Sequence, residues 1–388
     1  MDIGRKTFVW AIAGLIILRF FLIVLAMNNI PDTGMKDGGF RPSFTAVYQP
    51  DEPEFYQIAN GLVSGRFEKR APNIGAPLIF APLIYFSGVN SPDQLAPYAF
   101  ILQAFIIFSF AVIIVALIGR QILGSRLLGL AGAVLFTIYP WLFLAFFKII
   151  GYGNAIPAFH YQLWIFILSD YLSAFWVYLS FYLLLRNFES TKKSEIKYGY
   201  LIILATASGL ALLTRVGNFW LILIIFSIFL FYTRFKKAMI YGCLLALVYA
   251  PQLIFNFIAF GAPWIYGYRD PLVGASTSTT SLSKWFDPAN LWQNFAKFSP
   301  HYYFWLFVFS AGFFIITFIY GYKYLAKVNK NFAIAASMWF WSYLIFYWIF
   351  DESLSQLRYF LPMIPAFIYF FVAAVVYLAG KFKKRIYV

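Results

Sequence analysis

Three carboxylates, Asp51, Glu52 and Glu54, crowd the stretch YQPDEPEFYQIANGLVSG shortly after the first apolar run of the chain. A carboxylate near a membrane surface can be the base that deprotonates a hydroxyl nucleophile. It can also hold a magnesium or manganese ion, or do no more than cap a helix. A fourth acid, Asp170, stands alone in LWIFILSDYLSAFW. An ionisable group inside an apolar run ordinarily faces a cavity or a partner. Arg215 in LLTRVGN and Arg358 in SQLRYFLPMIP sit at the ends of later runs. Arginine's planar fork gives phosphate two parallel hydrogen bonds, and the same positions suit a side chain that merely snorkels to the interface. Arg19, within the first run, is open between an ion pair, a lipid phosphate and a structural role. His160 and His301 lie in separate segments, and no D-x-D or H-x-x-x-H spacing occurs, so no metal site is expected from sequence, although carboxylates alone could hold a divalent cation. Nucleophilic triads and phosphate-cradling glycine loops are absent from the sequence.

The elements that must carry these groups belong to a membrane. The composition is 62% hydrophobic, 23% aromatic and 12% charged, with a mean hydropathy of +0.74. Ten apolar segments approach spanning length: 8–27, 97–119, 127–147, 166–186, 198–214, 217–233, 238–260, 303–322, 332–350 and 359–379. Arg5 and Lys6 precede the first, which is too long for a signal h-region and lacks a small-residue cleavage site, so it is expected to be a span. With the N-terminus inside, the inner segments hold 18 of the 30 basic residues and only the acids Asp2, Glu189 and Glu195. The outer segments hold eleven basic and eleven acidic residues. The net charge of +15 is therefore the positive-inside bias and not a nucleic-acid footprint. Both termini are expected in the cytoplasm. The acid cluster, Lys148, Arg215, Arg358 and the group Arg66, Lys69 and Arg70 all fall on the other side, where their convergence points to a phosphate-bearing ligand.

Two outer connections are long, 28–96 and 261–302, and a shorter one covers 148–165; function is expected on that face. Phe55, Ile58, Ala59, Leu62 and Val63 fall on one stripe of a helix. Asp51 stands at its N-cap position, Pro53 in its first turn and Gly65 at its end. This helix is expected to lie on the outer surface with its stripe in lipid. After it, Pro72, Pro77 and Pro82 argue against a long regular helix, and leave open a wall over a cavity, a partly re-entrant loop or an ordinary packed surface loop. The single cysteine, Cys243, lies in an apolar run and is expected to be buried.

The segment DEPEFYQIANGLVSGRFEKRAPNIGAPLIFAPLIYF resembles the first outer loop of the C-type-fold integral-membrane glycosyltransferases, in the branch of protein O-mannosyltransferases and lipid A aminoarabinose transferases. Asp51 and Glu52, the helix from Tyr56 to Gly65, and the proline-rich Pro77 to Tyr85 match that loop in order. SDYLSAFWVYLSFYLLLR resembles a later span that opens with an aspartate, here Asp170. GLALLTRVGNFWLI and RYFLPMIPAF are similar to two further family segments. The sequence departs from the family where Ala81 stands in place of a phosphate-contacting lysine and where Val216 follows Arg215 in place of proline. It is also expected to carry no soluble outer domain after the tenth span.

The resemblance implies an all-α polytopic membrane enzyme, a single domain over 1–388, whose catalytic loop is 28–96. It would move one sugar, with inversion, from a polyprenyl- or dolichyl-phosphate carrier to a hydroxyl of a lipid, glycan or protein at the outer face of the cell membrane, with no resident cofactor. Such a transfer needs a base for the acceptor hydroxyl and positive charge on the departing phosphate. Asp51 is the expected base, and Glu52 and Asp170 orient sugar or acceptor. Arg358, Arg215 and Lys148 hold the donor phosphate, and Glu54, Tyr56 and His160 contribute to the substrate site. The alternative is a transporter or flippase of a lipid-linked sugar. Transporters place charge at the midplane and show internal repeats, whereas this chain shows two in-span charges and no repeat. A tag in 261–302 is expected outside and one after Val388 in the cytoplasm. Accessibility labelling that puts both on one side contradicts the ten-span alternation.

Overall fold

Inside a bilayer an apolar run has no water to satisfy its backbone, so it forms a helix or joins a closed barrel. In the computed structural model, which describes residues 2–28, 52–67, 69–70, 73–149, 169–190, 198–231, 235–265, 313–349 and 357–386, each of the ten expected spans contains a helix. In chain order the helices are α1 (Arg5–Asn28), α2 (Glu52–Ser64), α3 (Gly75–Ser87), α4 (Pro92–Phe100), α5 (Phe108–Leu123), α6 (Arg126–Ile149), α7 (Asp170–Ser190), α8 (Tyr198–Thr214), α9 (Phe219–Phe231), α10 (Phe235–Phe260), α11 (Phe313–Val328), α12 (Lys330–Ile349) and α13 (Ile364–Ile386). A π-helical segment, Ile101–Ile107, joins α4 to α5. The resulting Pro92–Leu123 is long and apolar enough to cross a membrane, as are Arg5–Val24, Phe235–Phe260 and Phe360–Lys381. A 3-10 turn, Val216–Asn218, separates α8 from α9, and another, Leu357–Met363, leads into α13. Among the described residues there is no strand. Neighbours in the bundle pack as α5 on α6, α7 on α8, α8 on α10 and α11 on α13.

Contacts sort the helix ends into two sets, as the alternation of ten spans requires. At the basic end, the Asp2 carboxylate caps α6 from outside that helix. Its Oδ1 accepts from the backbone N–H of Arg126 at 2.9 Å and of Leu127 at 3.2 Å, and from the Ser125 hydroxyl at 3.2 Å. Burial pushes the Asp2 carboxyl up, but the bonds from Leu127, Ile3, Ser125 and Arg126 outweigh it and hold it below the usual range. At the same end, the Tyr324 hydroxyl donates to the Leu123 carbonyl at 3.4 Å. The opposite end gathers α2, α3, the turn after α8, the first turn of α7 and the segment before α13.

The first long connection differs from expectation in two respects. The stripe of α2 does not lie in lipid. Phe55, Ile58 and Ala59 are buried, and Ile58 joins Ile74, Leu212, Leu213, Tyr249, Phe255 and Ala259 in an apolar cluster, with Leu62 packed against it. Only Val63, of the expected stripe, is an exposed large hydrophobe. The apolar ends of α8 and α10 offer the stripe a protein surface, so it turns inward. The proline-rich segment, in turn, is a 13-residue helix, α3, with Pro82 inside it. Pro77 falls in the first turn, where a missing N–H costs nothing, and Pro82 sits at an exposed position. Gly65 and Gly88, both at positive φ, end α2 and α3. Cys243 is exposed on α10 and not buried.

Gly75 fixes how this connection meets the bundle. A Cβ there would stand 2.3 Å from the Thr214 nitrogen and 2.5 Å from the Leu213 oxygen. Both are backbone atoms and neither can swing aside. Gly75→Ala should therefore destabilise the protein by roughly 1–3 kcal/mol, as overpacking does. The effect is read as a lower melting temperature in detergent. Gly199→Ala, where a Cβ meets nothing within 4 Å, should not share it.

Candidate active site at the end of the bundle opposite the basic end

Two adjacent residues of the connection, Asn73 and Ile74, are pinned to α8 and α10. The Asn73 amide donates to the Leu212 carbonyl at 3.4 Å, and the Ile74 N–H donates to Gln252 Oε1 at 2.9 Å. Gln252 Nε2 donates to Asn256 Oδ1 at 2.8 Å, and Asn256 Nδ2 donates to the Pro263 carbonyl at 3.0 Å. This chain of amides answers an orphan N–H at the start of α3. It was missed from sequence, although two amides four residues apart in an apolar run are the signal for it. Tyr56, expected near substrate, is buried and points inward, its hydroxyl 3.5 Å from the Val89 carbonyl. Burial pushes its phenol above the usual range. Tyr56 thus braces α2 against the turn after α3. Glu54 is half-buried in the first turn of α2.

Directly after Gly75's contact with Thr214 comes Arg215, in extended backbone between α8 and the 3-10 turn. Its guanidinium Nη1 donates to Oδ1 of Asp170, the first residue of α7. Asp170 is 3% exposed and Arg215 17%. The sequence assigned the two to different roles, and the structure brings them together as one ion pair. The carboxylate also stands in the first turn of a helix, where the dipole favours negative charge.

Asn218 holds the turn beneath them. Its Nδ2 donates to the Ser173 hydroxyl oxygen at 2.7 Å and to the Ala211 carbonyl at 2.7 Å, while its Oδ1 accepts from the Tyr343 hydroxyl at 2.9 Å. One buried side chain therefore ties α7, α8 and α12 to the break that presents Arg215. The segment bearing Arg358 is anchored in the same manner. A 3-10 stretch with Pro362 within it leaves carbonyls without helical partners. Tyr178 donates to the Leu361 carbonyl at 2.6 Å, and Trp339 Nε1 donates to the Pro362 carbonyl at 2.9 Å. Trp339 is itself fixed by stacking on Phe181 at 4.1 Å. Asn218, Tyr343, Tyr178 and Trp339 were not singled out from sequence, because a polar or aromatic residue in an aromatic-rich span has no local signature of its partner.

Arg19 resolves as a clamp across three helices. It is fully buried, with its guanidinium 4.1 Å from the Phe108 ring centre and 4.6 Å from that of Trp141. Tyr139 and Tyr171 are its electrostatic neighbours. Cation–π contacts of this desolvated kind contribute about 2 kcal/mol.

Of the other expected site residues, Asp51 and His160 lie outside the described residues, as do the side chains of Glu52, Lys148 and Arg358. The α2 helix nonetheless begins at Glu52, directly after Asp51. Lys148 falls in the last turn of α6. Among the described residues no three His, Cys, Asp or Glu converge as a metal site would require.

Comparison with solved structures identifies the fold. The archaeal oligosaccharyltransferase AglB from Archaeoglobus fulgidus, in complex with an inhibitory peptide and a dolichol-phosphate, matches 97% of this chain with TM-score 0.61 and 14% identity, over 51% of its own length. The apo form of the Archaeoglobus fulgidus oligosaccharyltransferase matches 99% of the chain with TM-score 0.58 and 15% identity, over 52% of its length. ArnT from Cupriavidus metallidurans, bound to undecaprenyl phosphate, matches 96% with TM-score 0.54 and 14% identity, over 61% of its length. These are membrane glycosyltransferases of the C-type fold, and this chain, a polytopic helical membrane protein, has that fold. It spans about half the length of the oligosaccharyltransferases it matches. No protein-family model matches the sequence, and no curated protein matches it.

The ion pair is unevenly buried, which sets the expected mutational asymmetry. Arg215→Gln leaves the more deeply buried Asp170 without its guanidinium, at a cost of several kcal/mol, about 3 or more. Asp170→Asn leaves a more exposed cation and should cost less. Chemical denaturation of both variants in detergent checks the order.

Proposed function

We propose that the protein is a glycosyltransferase that moves one sugar from a polyprenyl- or dolichyl-phosphate carrier to a hydroxyl acceptor at the end of the bundle where Asp170 and Arg215 meet. The observation that carries this reading is the fold. Two of the solved structures with which it is shared hold lipid phosphates, a dolichol-phosphate in one and undecaprenyl phosphate in the other. The Asp170–Arg215 pair and the anchored segment bearing Arg358 support it, since together they bring an acid and the backbones of two arginines to one end of the spans. That end is the outer face in the orientation set by the charge bias.

In this reaction the acceptor oxygen attacks the anomeric carbon from the face opposite the phosphate. Its proton passes to Asp51, and the bond from the anomeric carbon to the phosphate oxygen breaks, with inversion. The polyprenyl phosphate leaves with the electron pair. A guanidinium has five N–H donors, so Arg215 can serve Asp170 along one edge and the departing phosphate with others, with Arg358 and Lys148 as further phosphate partners. Asp170 then fixes Arg215 for the donor, and Glu52 and Glu54 orient sugar or acceptor. The acceptor is a lipid, glycan or protein hydroxyl.

Asp51 gives the test, because base and cap part there. Asparagine caps a helix about as well as aspartate but takes no proton. Asp51→Asn should lose roughly 10²–10⁴-fold in transfer rate while keeping the wild-type melting temperature. Asp51→Ala should be as inactive and also less stable, by about 1 kcal/mol. The assay uses purified protein with labelled polyprenyl-phosphosugars. An Asp51→Asn variant of wild-type rate would remove Asp51 as the base. Movement of the intact donor across the bilayer, without cleavage, would favour a transporter and overturn the enzyme.

A further inference from the structure

At the basic end, α11 and α13 come unusually close. A Cβ on Gly321 would stand 2.4 Å from the Phe370 carbonyl oxygen, so only glycine permits the approach. The two helices then stack Tyr320 on Tyr377, with ring centres 5.5 Å apart and planes 27° apart. Three lysine ammoniums gather on this pair. Lys323 lies 5.5 Å from the centre of Tyr320, Lys327 lies 5.1 Å from that of Tyr377, and Lys381 lies 5.8 Å from Tyr320 and 5.4 Å from Tyr377. All three lysines are exposed. Neither α11 nor α13 contains an acidic residue, and α13 continues through Lys383, Lys384 and Arg385. Like charges this close repel one another. The two tyrosine faces offset part of that repulsion, and an anion would offset the rest.

From this geometry we infer that the Tyr320–Tyr377 pair and its three lysines form a binding site for the phosphate of an anionic phospholipid, separate from the transfer site. The surface around it specifies a lipid over a free phosphate. Ile316, one turn before Tyr320 on the same face of α11, and Ile319, one turn before Lys323, are exposed large hydrophobics toward the middle of the span. They give acyl chains an apolar bed just where the lysines give a headgroup its charge. Along α11, Tyr320 stands between Ile316 and Lys323, an order that suits an amphipathic ring at a membrane interface. Tyr324 on α11 bonds to the end of α5, and Val328 abuts Gly124 beyond it. A lipid at this site would therefore brace α11 and α13 against the centre of the bundle.

The test uses the full chain purified in neutral detergent. Its melting temperature and lipid retention, by native mass spectrometry, are followed during titration with phosphatidylglycerol, phosphatidylcholine or inorganic phosphate. Phosphatidylglycerol alone should raise the melting temperature of the wild type and be retained. Each lysine near a membrane surface contributes a factor of about five to anionic lipid binding. Lys327→Gln/Lys381→Gln should therefore weaken the response by about 30-fold. Lys6→Gln/Lys236→Gln removes the same charge from the same end, away from the tyrosines, and should leave the response intact. Equal loss in both double variants would reduce the effect to general attraction and overturn the site. Full retention in Lys327→Gln/Lys381→Gln, no response in the wild type, or an equal response to inorganic phosphate would overturn it too.

Discussion

A charge buried within a membrane protein must meet its partner there, because its apolar surroundings offer none. The Asp170–Arg215 pair meets that requirement, and much of the architecture around it follows. An aspartate at the first position of α7 can be buried only if a cation reaches it, and Arg215 reaches it only because α8 ends one residue earlier. The helix break that this demands exposes backbone and side-chain groups of its own, and Asn218 answers them with partners on three helices. Buried polar networks of this sort are rigid when every member is satisfied and costly when one is not.

The same requirement explains how the first long connection is attached. Its helices do not float on the surface. They are bolted through Asn73, Ile74 and Gly75 to the very end of α8, next to Arg215, and through Gln252 and Asn256 to α10. The α2 helix therefore belongs to the same packed assembly as the ion pair, joined through α3 and through Tyr56.

The spans were legible because apolar length and charge bias are properties of whole segments. Each of the ten runs contains a helix among the described residues, and the ends at Asp2 with Ser125 and at Leu123 with Tyr324 come together. The α2 helix was legible from its caps and periodicity, from Glu52 to Gly65. Its burial was not, because an apolar stripe has the same sequence whether it faces lipid or the ends of α8 and α10. Pro77 and Pro82 misled for a related reason. Proline's cost depends on which N–H is already unpaired and which face is exposed, and both depend on tertiary placement. In the candidate site, Asp170 and Arg215 were recognisable singly as charges at the ends of runs. Their pairing spans 45 positions, and the supporting bonds of Tyr343, Tyr178 and Trp339 span 125, 183 and 23.

The central claim is that a lipid phosphate is held at the end of the bundle where Asp170, Arg215 and the Arg358 segment converge. The most direct measurement is an experimental structure of the full chain with undecaprenyl phosphate bound in nanodiscs. The phosphate should lie within hydrogen-bond reach of the guanidiniums of Arg215 and Arg358, with the prenyl chain leaving along the spans toward the bilayer. A phosphate found elsewhere on the chain, with none at the Asp170 end, would contradict the account.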